Sequence, residues 1–324
     1  MRRTLWTKTR PVKSGFRVCH HSRVRFSFLR APSVDPLRSR PVATANGRNI
    51  GVYEYGDPNG RPIIALHGTP SCGAGFDWTD APARERHLRV VAPDRPGIGH
   101  SDPAPMSSVA DYAAEIEALA DALGIERFVV LGYSGGGPYA LAVARGLPDR
   151  VESATIVAGA GEIGAWAKWK DLSRSDRQLT WLSLHAPVVA RAALRVADAG
   201  ARLVPPVALW SAEAEMSGPD RAVMRSLGSR EALALFTQAL AGSAAGAVDD
   251  YALLARPWRV PVSEINVPVH CWHGTADNLV PLAHTQALLE RIPGARLTTW
   301  PDEGHLALIT HVAEVLDDIA TAPR

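Results

Sequence analysis

Residues Gly132-Tyr133-Ser134-Gly135-Gly136 fit a Gly-x-Ser-x-Gly pattern. In that pattern a serine sits on a turn too tight for side chains beside its backbone. The apolar run Phe128-Val129-Val130-Leu131 leads in, and a small-residue helical run from Gly137 to Arg145 leads out. A serine hydroxyl is a weak nucleophile at neutral pH and needs a base within hydrogen-bond reach. A histidine held by a carboxylate supplies one. His305 follows the strand-like segment Ala295 to Trp300, in Pro301-Asp302-Glu303-Gly304-His305. Asp277 follows Val267 to Trp272, in His273-Gly274-Thr275-Ala276-Asp277. Glu162, close after Val151 to Val157, is the alternative acid. His273 starts a His-Gly turn and reads as structural, while His284 and His311 fall inside helical segments.

The elements that must carry these residues alternate. Asn46-Gly47 marks a hairpin between Val42-Ala43-Thr44 and Asn49 to Tyr55. Pro62 to His67 and Leu88 to Ala92 are short apolar strands, suited to a sheet buried on both faces. Ser107 or Ser108 caps a helix with apolar positions Val109, Tyr112, Ile116, Leu119, Ala120 and Leu123, ending at Gly124. Arg127 to Leu131 and Val151 to Val157 are the next strands. Residues 160–262 then read as largely helical, with Trp166, Trp169, Trp181 and Trp210. Those tryptophans fit an apolar binding surface and core packing equally. After Val267 to Trp272 come a helix from Leu282 to Arg291, the strand Ala295 to Trp300 and a helix from Leu306 to Ala320. Strands alternating with helices predict an α/β fold with a mainly parallel central sheet flanked by helices. Ligands of such sheets bind at the carboxyl ends of the strands, where Ser134, Asp277 and His305 fall.

The chain divides into three parts. Residues 1–40 predict a basic N-terminal extension. Residues 41–159 and 263–324 form the α/β core, and 160–262 form a helical insertion. The first 40 residues hold 11 of the 35 Lys and Arg but one of the 33 acids. The remaining residues therefore carry 24 bases against 32 acids, a net charge of −8, so the overall +2 gives no support for nucleic-acid binding. The Arg-rich extension fits a disordered tail, a chain start placed too far upstream, or an organellar transit peptide. It has no apolar segment of the length a secretory signal needs. Three scattered cysteines, Cys19, Cys72 and Cys271, make a disulfide framework or a zinc site a poor fit and favour a cytoplasmic setting. The longest apolar stretch, Val188 to Trp210, is broken by Arg191, Arg195, Asp198 and Arg202. It reads as an amphipathic helical region rather than a membrane span.

Taken together, the chain from about 41 to 320 resembles the α/β-hydrolase superfamily, in its serine-nucleophile, esterase-like branch with a helical cap. Five segments carry the resemblance: Gly132 to Gly136, His67-Gly68-Thr69-Pro70, Asp94 to Ser101, His273-Gly274-x-x-Asp277 and Gly304-His305. The resemblance implies a triad in the order Ser134, Asp277, His305. It implies an oxyanion hole from the backbone N–H groups of Gly135 and Thr69, since Pro70 has no N–H to offer. His67, Gly68, Gly132 and Gly136 would support these loops, His67 through a hydrogen bond. Asp94 and Arg95 would fix their loop by a charge-assisted contact. The insertion at 160–262 would be the cap, and no metal or organic cofactor is required.

Relatives with similar His-Gly-x-Pro loops but dehalogenase or epoxide-hydrolase chemistry carry an aspartate at the elbow, so serine argues against both. Hydrolysis of a small, fairly apolar ester or related acyl compound is the reading favoured. A C–C bond hydrolase and an aminopeptidase-like hydrolase remain alternatives on the same triad, although His-Gly-Thr-Pro differs from the His-Gly-Gly-Pro-Gly loop of proline iminopeptidases. A lyase or perhydrolase reusing the triad and a non-catalytic ligand-binding protein of this fold stay open, as does the oligomeric state. A histidine base predicts that activity rises through an apparent pKa near 6–7.

Overall fold

A computed structural model describes residues 39–227, 233, 237–240 and 244–322. The N-terminal extension, apart from Ser39 and Arg40, lies outside the described residues. Eight strands form one sheet in the order β1-β2-β4-β3-β5-β6-β7-β8. They are β1 (Ser39–Ala43), β2 (Asn49–Gly56), β3 (Arg61–Leu66), β4 (Leu88–Pro93), β5 (Phe128–Tyr133), β6 (Val151–Val157), β7 (Val269–Gly274) and β8 (Arg296–Trp300). Among the described residues the β1–β2 and β2–β4 pairs are antiparallel, and β4, β3, β5, β6, β7 and β8 are parallel to one another. The sheet is mainly parallel, as the alternating pattern predicts.

Burial explains why the central strands read as unbroken apolar runs. Along β3, Ile64 and Leu66 join one buried cluster with Tyr112, Ile116 and Tyr139, while Ile63 and Ala65 join another with Ala83 and Val315. Helices α2 (Tyr112–Ala122) and α3 (Gly136–Gly146) cover the first face. Helices α1 (Asp80–Glu85) and α10 (Ala307–Thr321) cover the second. Alternate side chains point to opposite faces, so a strand covered on both sides must be apolar throughout.

Strand order reverses at β3. The chain steps from β3 to β4 on one side, then crosses to β5 on the other, with Leu66 registered against Gly132. In open α/β sheets such a switch point, at the carboxyl ends of the strands, is where ligands bind. The turn after β5 is tight enough to dictate composition. A Cβ on Gly136 would overlap the backbone carbonyl oxygen of Leu66. Gly136→Ala should therefore destabilise the fold by about 1–3 kcal/mol, read as a lower denaturant midpoint at unchanged slope.

Between β6 and β7 lie α4 (Arg174–His185), α5 (Pro187–Leu203), α6 (Pro205–Glu213), α7 (Gly218–Leu227) and α8 (Ala244–Leu254). Ala190, Leu194, Leu240, Ala244, Ala247 and Val248 form a buried cluster of their own here. The stretch Val188 to Trp210 spans two helices, since Pro205 opens α6 with a residue that cannot continue α5. Along α5 Ala190, Leu194 and Ala201 are buried, while Val196, Leu203 and, on α6, Trp210 are exposed. Trp166 packs edge-on against the buried Trp258, whereas Trp169 and Trp181 line a separate hollow of about 410 Å³. Helix α9 (Leu282–Leu289) links β7 to β8. No described helix is long and apolar enough to cross a membrane.

Candidate active site

Ser134 occupies the turn between β5 and α3 with φ of +55°. That left-handed conformation is uncommon for a residue with a side chain and is held only where surroundings over-determine it. Here Ser134 N donates to Val157 O at 2.9 Å, and Ser134 O accepts from Gly137 N at 3.0 Å and Ala160 N at 3.1 Å. The main chain is thus pinned, and the hydroxyl is presented above the sheet edge. Gly68 lies alongside: a Cβ there would sit 3.2 Å from Ser134 Cβ. Gly132 is excluded from carrying a side chain by the Gly136 carbonyl oxygen, 2.6 Å from where its Cβ would lie.

His305 comes from the loop after β8, and its Nε2 lies 2.9 Å from Ser134 Oγ. Its Nδ1 lies 2.7 Å from Asp277 Oδ2. A carboxylate only accepts, so Nδ1 carries the proton and Nε2 offers its lone pair to the serine. Asp277, after β7, is held in turn. Its Oδ1 accepts from Leu279 N and Val280 N, both at 2.9 Å, and His273 Nε2 lies 3.3 Å from Oδ2. Burial alone would raise the Asp277 carboxyl, but His305 and His273 outweigh it and hold it well below the usual carboxylate range. Burial works against charge on His305 too, yet the attraction of Asp277 raises its pKa above the ordinary histidine value. Asp220 and Asp176, both on helices between β6 and β7, push in the same direction.

The alternative acid is placed elsewhere. Glu162 Oε1 accepts from Trp258 N at 2.7 Å, and no hydrogen bond joins it to His305 among the described residues. His67 is buried, with Nδ1 2.9 Å from Gly68 O and Nε2 accepting from Arg95 N at 3.2 Å. Burial drops its pKa well below the usual value, so it is a neutral brace inside the loop. Thr69 and Gly135 adjoin: a Cβ on Gly135 would lie 3.1 Å from Thr69 N and 2.5 Å from Thr69 Oγ1.

Asp94 and Arg95 each fix the loops by charge-assisted contacts, but with separate partners. Asp94 accepts from Gly73 N at 2.8 Å and His100 N at 2.9 Å, and burial pushes its carboxyl up to about 6. Arg95 turns the other way, to Asp250 on α8. Cys72 and Cys271 are buried, and burial pushes both thiols up, so neither is a reactive thiolate.

Three further residues reach the site: Tyr133, at an unspecified position of the Gly-x-Ser-x-Gly pattern, and two acids outside any motif. Tyr133 donates from its hydroxyl to His305 O at 3.0 Å and stacks on the imidazole with ring centres 5.3 Å apart. Asp220 is buried on α7, where its Oδ1 accepts from Leu306 N at 2.7 Å and its Oδ2 from Ser217 Oγ at 2.7 Å. Asp250 is the third. Helical position alone gives no sign that these acids face a distant loop. Asp220→Asn keeps an acceptor for Leu306 N but removes a negative charge facing His305. The His305 pKa should fall, so the acid limb of kcat/KM should move to lower pH than in the wild type. An acid limb that stays in place or rises would contradict the electrostatic link.

The arrangement can pass a proton from a serine hydroxyl to an imidazole whose positive form is stabilised by a buried carboxylate. Similarity to known proteins agrees with the fold. A sequence model of the alpha/beta hydrolase fold family matches residues 61–312. A non-heme chloroperoxidase from Streptomyces lividans is 30% identical over 284 residues, covering 85% of this chain and 96% of that protein. A proline iminopeptidase from Neisseria gonorrhoeae is 36% identical over 129 residues, covering 37% of this chain and 40% of that protein. Among solved structures, an esterase from Rhodococcus sp. ECU1013 superposes with a TM-score of 0.65 at 22% identity, over 88% of this chain and 100% of that one. The sheet order, the segments at its carboxyl edge and the family match over residues 61–312 lead to one assignment: the chain belongs to the alpha/beta hydrolase fold family.

Proposed function

We propose that this protein is a serine hydrolase that cleaves a small, fairly apolar ester or related acyl substrate. The observation that carries the reading is the unbroken hydrogen-bond chain from Ser134 through His305 to Asp277. Ser134 Oγ attacks the acyl carbon while its proton passes to His305 Nε2. The N–H groups of Gly135 and Thr69 hold the oxyanion of the tetrahedral intermediate. His305 returns the proton to the departing alkoxide, leaving an acyl-enzyme. Water, deprotonated by the same imidazole, then releases the acid and regenerates Ser134. Residues 160–262 act as a cap that shapes the acyl pocket, a reading supported by Asp220 and Asp250, which reach from that segment to the His305 and Thr69 loops.

Activity requires neutral His305. Since Asp277 raises its pKa, activity should be lost as pH falls through a value above that of an ordinary histidine.

Labelling with a fluorophosphonate probe, read by mass spectrometry, tests the nucleophile. The adduct should map to Ser134, and a panel of aryl esters of increasing acyl length should show turnover. Absent labelling together with absent turnover would overturn the reading. Assays with a C–C diketone substrate, a prolyl arylamide, and peroxide with halide test the activities of the alternative classes, including those named for the relatives above.

A further inference from the structure

Asp250 lies on α8, outside the sheet, yet it is among the most heavily bonded carboxylates near the site. Its Oδ1 accepts from Arg95 Nε at 2.9 Å and from Tyr139 Oη at 2.6 Å. Its Oδ2 accepts from Arg95 Nη2 at 2.7 Å and from Thr69 Oγ1 at 2.6 Å. Both members of the ion pair are buried, Arg95 at 1% exposure and Asp250 at 5%. A buried pair of this kind persists only when its remaining donors and acceptors are also satisfied, and here they are.

Those remaining partners are the loop after β3. Arg95 donates to His67 O through Nη1, to Gly68 O at 2.9 Å and to Thr69 Oγ1 at 2.8 Å. One guanidinium therefore holds three consecutive loop residues, and the Thr69 hydroxyl is committed on both sides. Its backbone N lies beside Gly135, 3.1 Å from where a Cβ on that glycine would sit. The guanidinium also lies over the Tyr139 ring at 4.8 Å, which fixes its plane against α3, the helix that follows Ser134. Helix α8 approaches closely enough for this reach because glycine meets glycine. A Cβ on Gly97 would sit 3.1 Å from Gly246 Cα, and one on Gly246 would overlap the Gly97 backbone.

We propose that Asp250 is a positioning residue for the oxyanion hole. Through Arg95 and the Thr69 hydroxyl, this carboxylate keeps the Thr69 amide in register with that of Gly135, so the hole is complete only when α8 is docked. The proposal rests on the acyl-transfer reading above. It adds that the inserted helices supply part of the catalytic geometry as well as the walls of a pocket.

The test uses the full chain with Asp250→Asn and with the paired variant Arg95→Met/Asp250→Leu, which removes both buried charges together. A shift of about 1 Å in a positioned group costs on the order of 10²-fold in rate. Asp250→Asn should accordingly lose about 10- to 100-fold in kcat while KM stays within about twofold. Affinity for a boronic acid that forms a tetrahedral adduct on the serine should fall by a similar factor. The paired variant should fold and still show both losses. It decides the matter if Asp250→Asn does not fold. Restoration of kcat and boronate affinity in the paired variant, or values within twofold of wild type in Asp250→Asn, would overturn the proposal. Hydrogen exchange supplies an arm independent of turnover. Amides of segment 67–76 should exchange faster in the variants while those of β5 do not change, and unchanged exchange at 67–76 would overturn the strut. Wild-type protein lacking Ser134-dependent turnover would instead refute the acyl-transfer reading, with the exchange arm still deciding whether Asp250 holds the loop.

Discussion

Ser134→Ala should abolish acyl hydrolysis, with a loss on the order of 10⁶-fold in kcat, the scale expected when the nucleophile of a cooperating triad is removed. The substitution deletes one atom, Oγ, that lies 2.9 Å from His305 Nε2. Alanine keeps the Cβ and is no worse suited than serine to a φ of +55°, so the turn should survive. The backbone bonds to Val157, Gly137 and Ala160 do not involve the side chain. Thermal stability should therefore stay near wild type while turnover and fluorophosphonate labelling vanish. Turnover above about one hundredth of wild type would remove Ser134 from the mechanism. Substrate binding is expected to persist, because the substitution leaves the proposed oxyanion donors at Gly135 and Thr69 untouched.

Asp277→Asn should lower kcat by about 10⁴-fold at little cost to the fold. The reason lies in how the carboxylate is shared. Oδ1 is committed to Leu279 N and Val280 N, so an asparagine will keep its carbonyl oxygen there. Its NH₂ group must then face His305 Nδ1, where Oδ2 accepts in the native protein. That geometry makes Nδ1 an acceptor and places the imidazole proton on Nε2, pointing at Ser134. A protonated Nε2 cannot take the serine proton. The loss of a facing negative charge also lowers the His305 pKa, so the acid limb should move down while the plateau collapses. Glu162→Gln supplies the contrast. Its carboxylate binds the Trp258 amide, and the side-chain oxygen of glutamine preserves that acceptor, so kcat should change by less than about threefold. The opposite ranking of the two variants would exchange the acid assignment.

The sequence by itself determined the strands, the parallel sheet and the segments that carry Ser134, Asp277 and His305. The reason is physical: a strand buried on both faces has to be an apolar run, and a turn as tight as that at Gly132 and Gly136 admits no other residue. Such constraints act between near neighbours in the chain and leave a local mark. The boundaries also held closely; the strand Val151 to Val157 is observed as read, and β7 begins two residues later than its apolar run. What only the tertiary structure decided is which distant groups meet. Asp250 stands 155 residues from Arg95, and Asp220 stands 86 from Leu306. On a helix each is one more acid among several. Nor could chain order reveal that Arg95 turns from its neighbour Asp94 to a helix on another part of the chain. A buried charge takes whichever partner the packing brings within reach, because leaving it unpaired costs far more than any preference among carboxylates. Packing, rather than spacing, selected Asp250 and Asp220 as neighbours of the Thr69 and His305 loops.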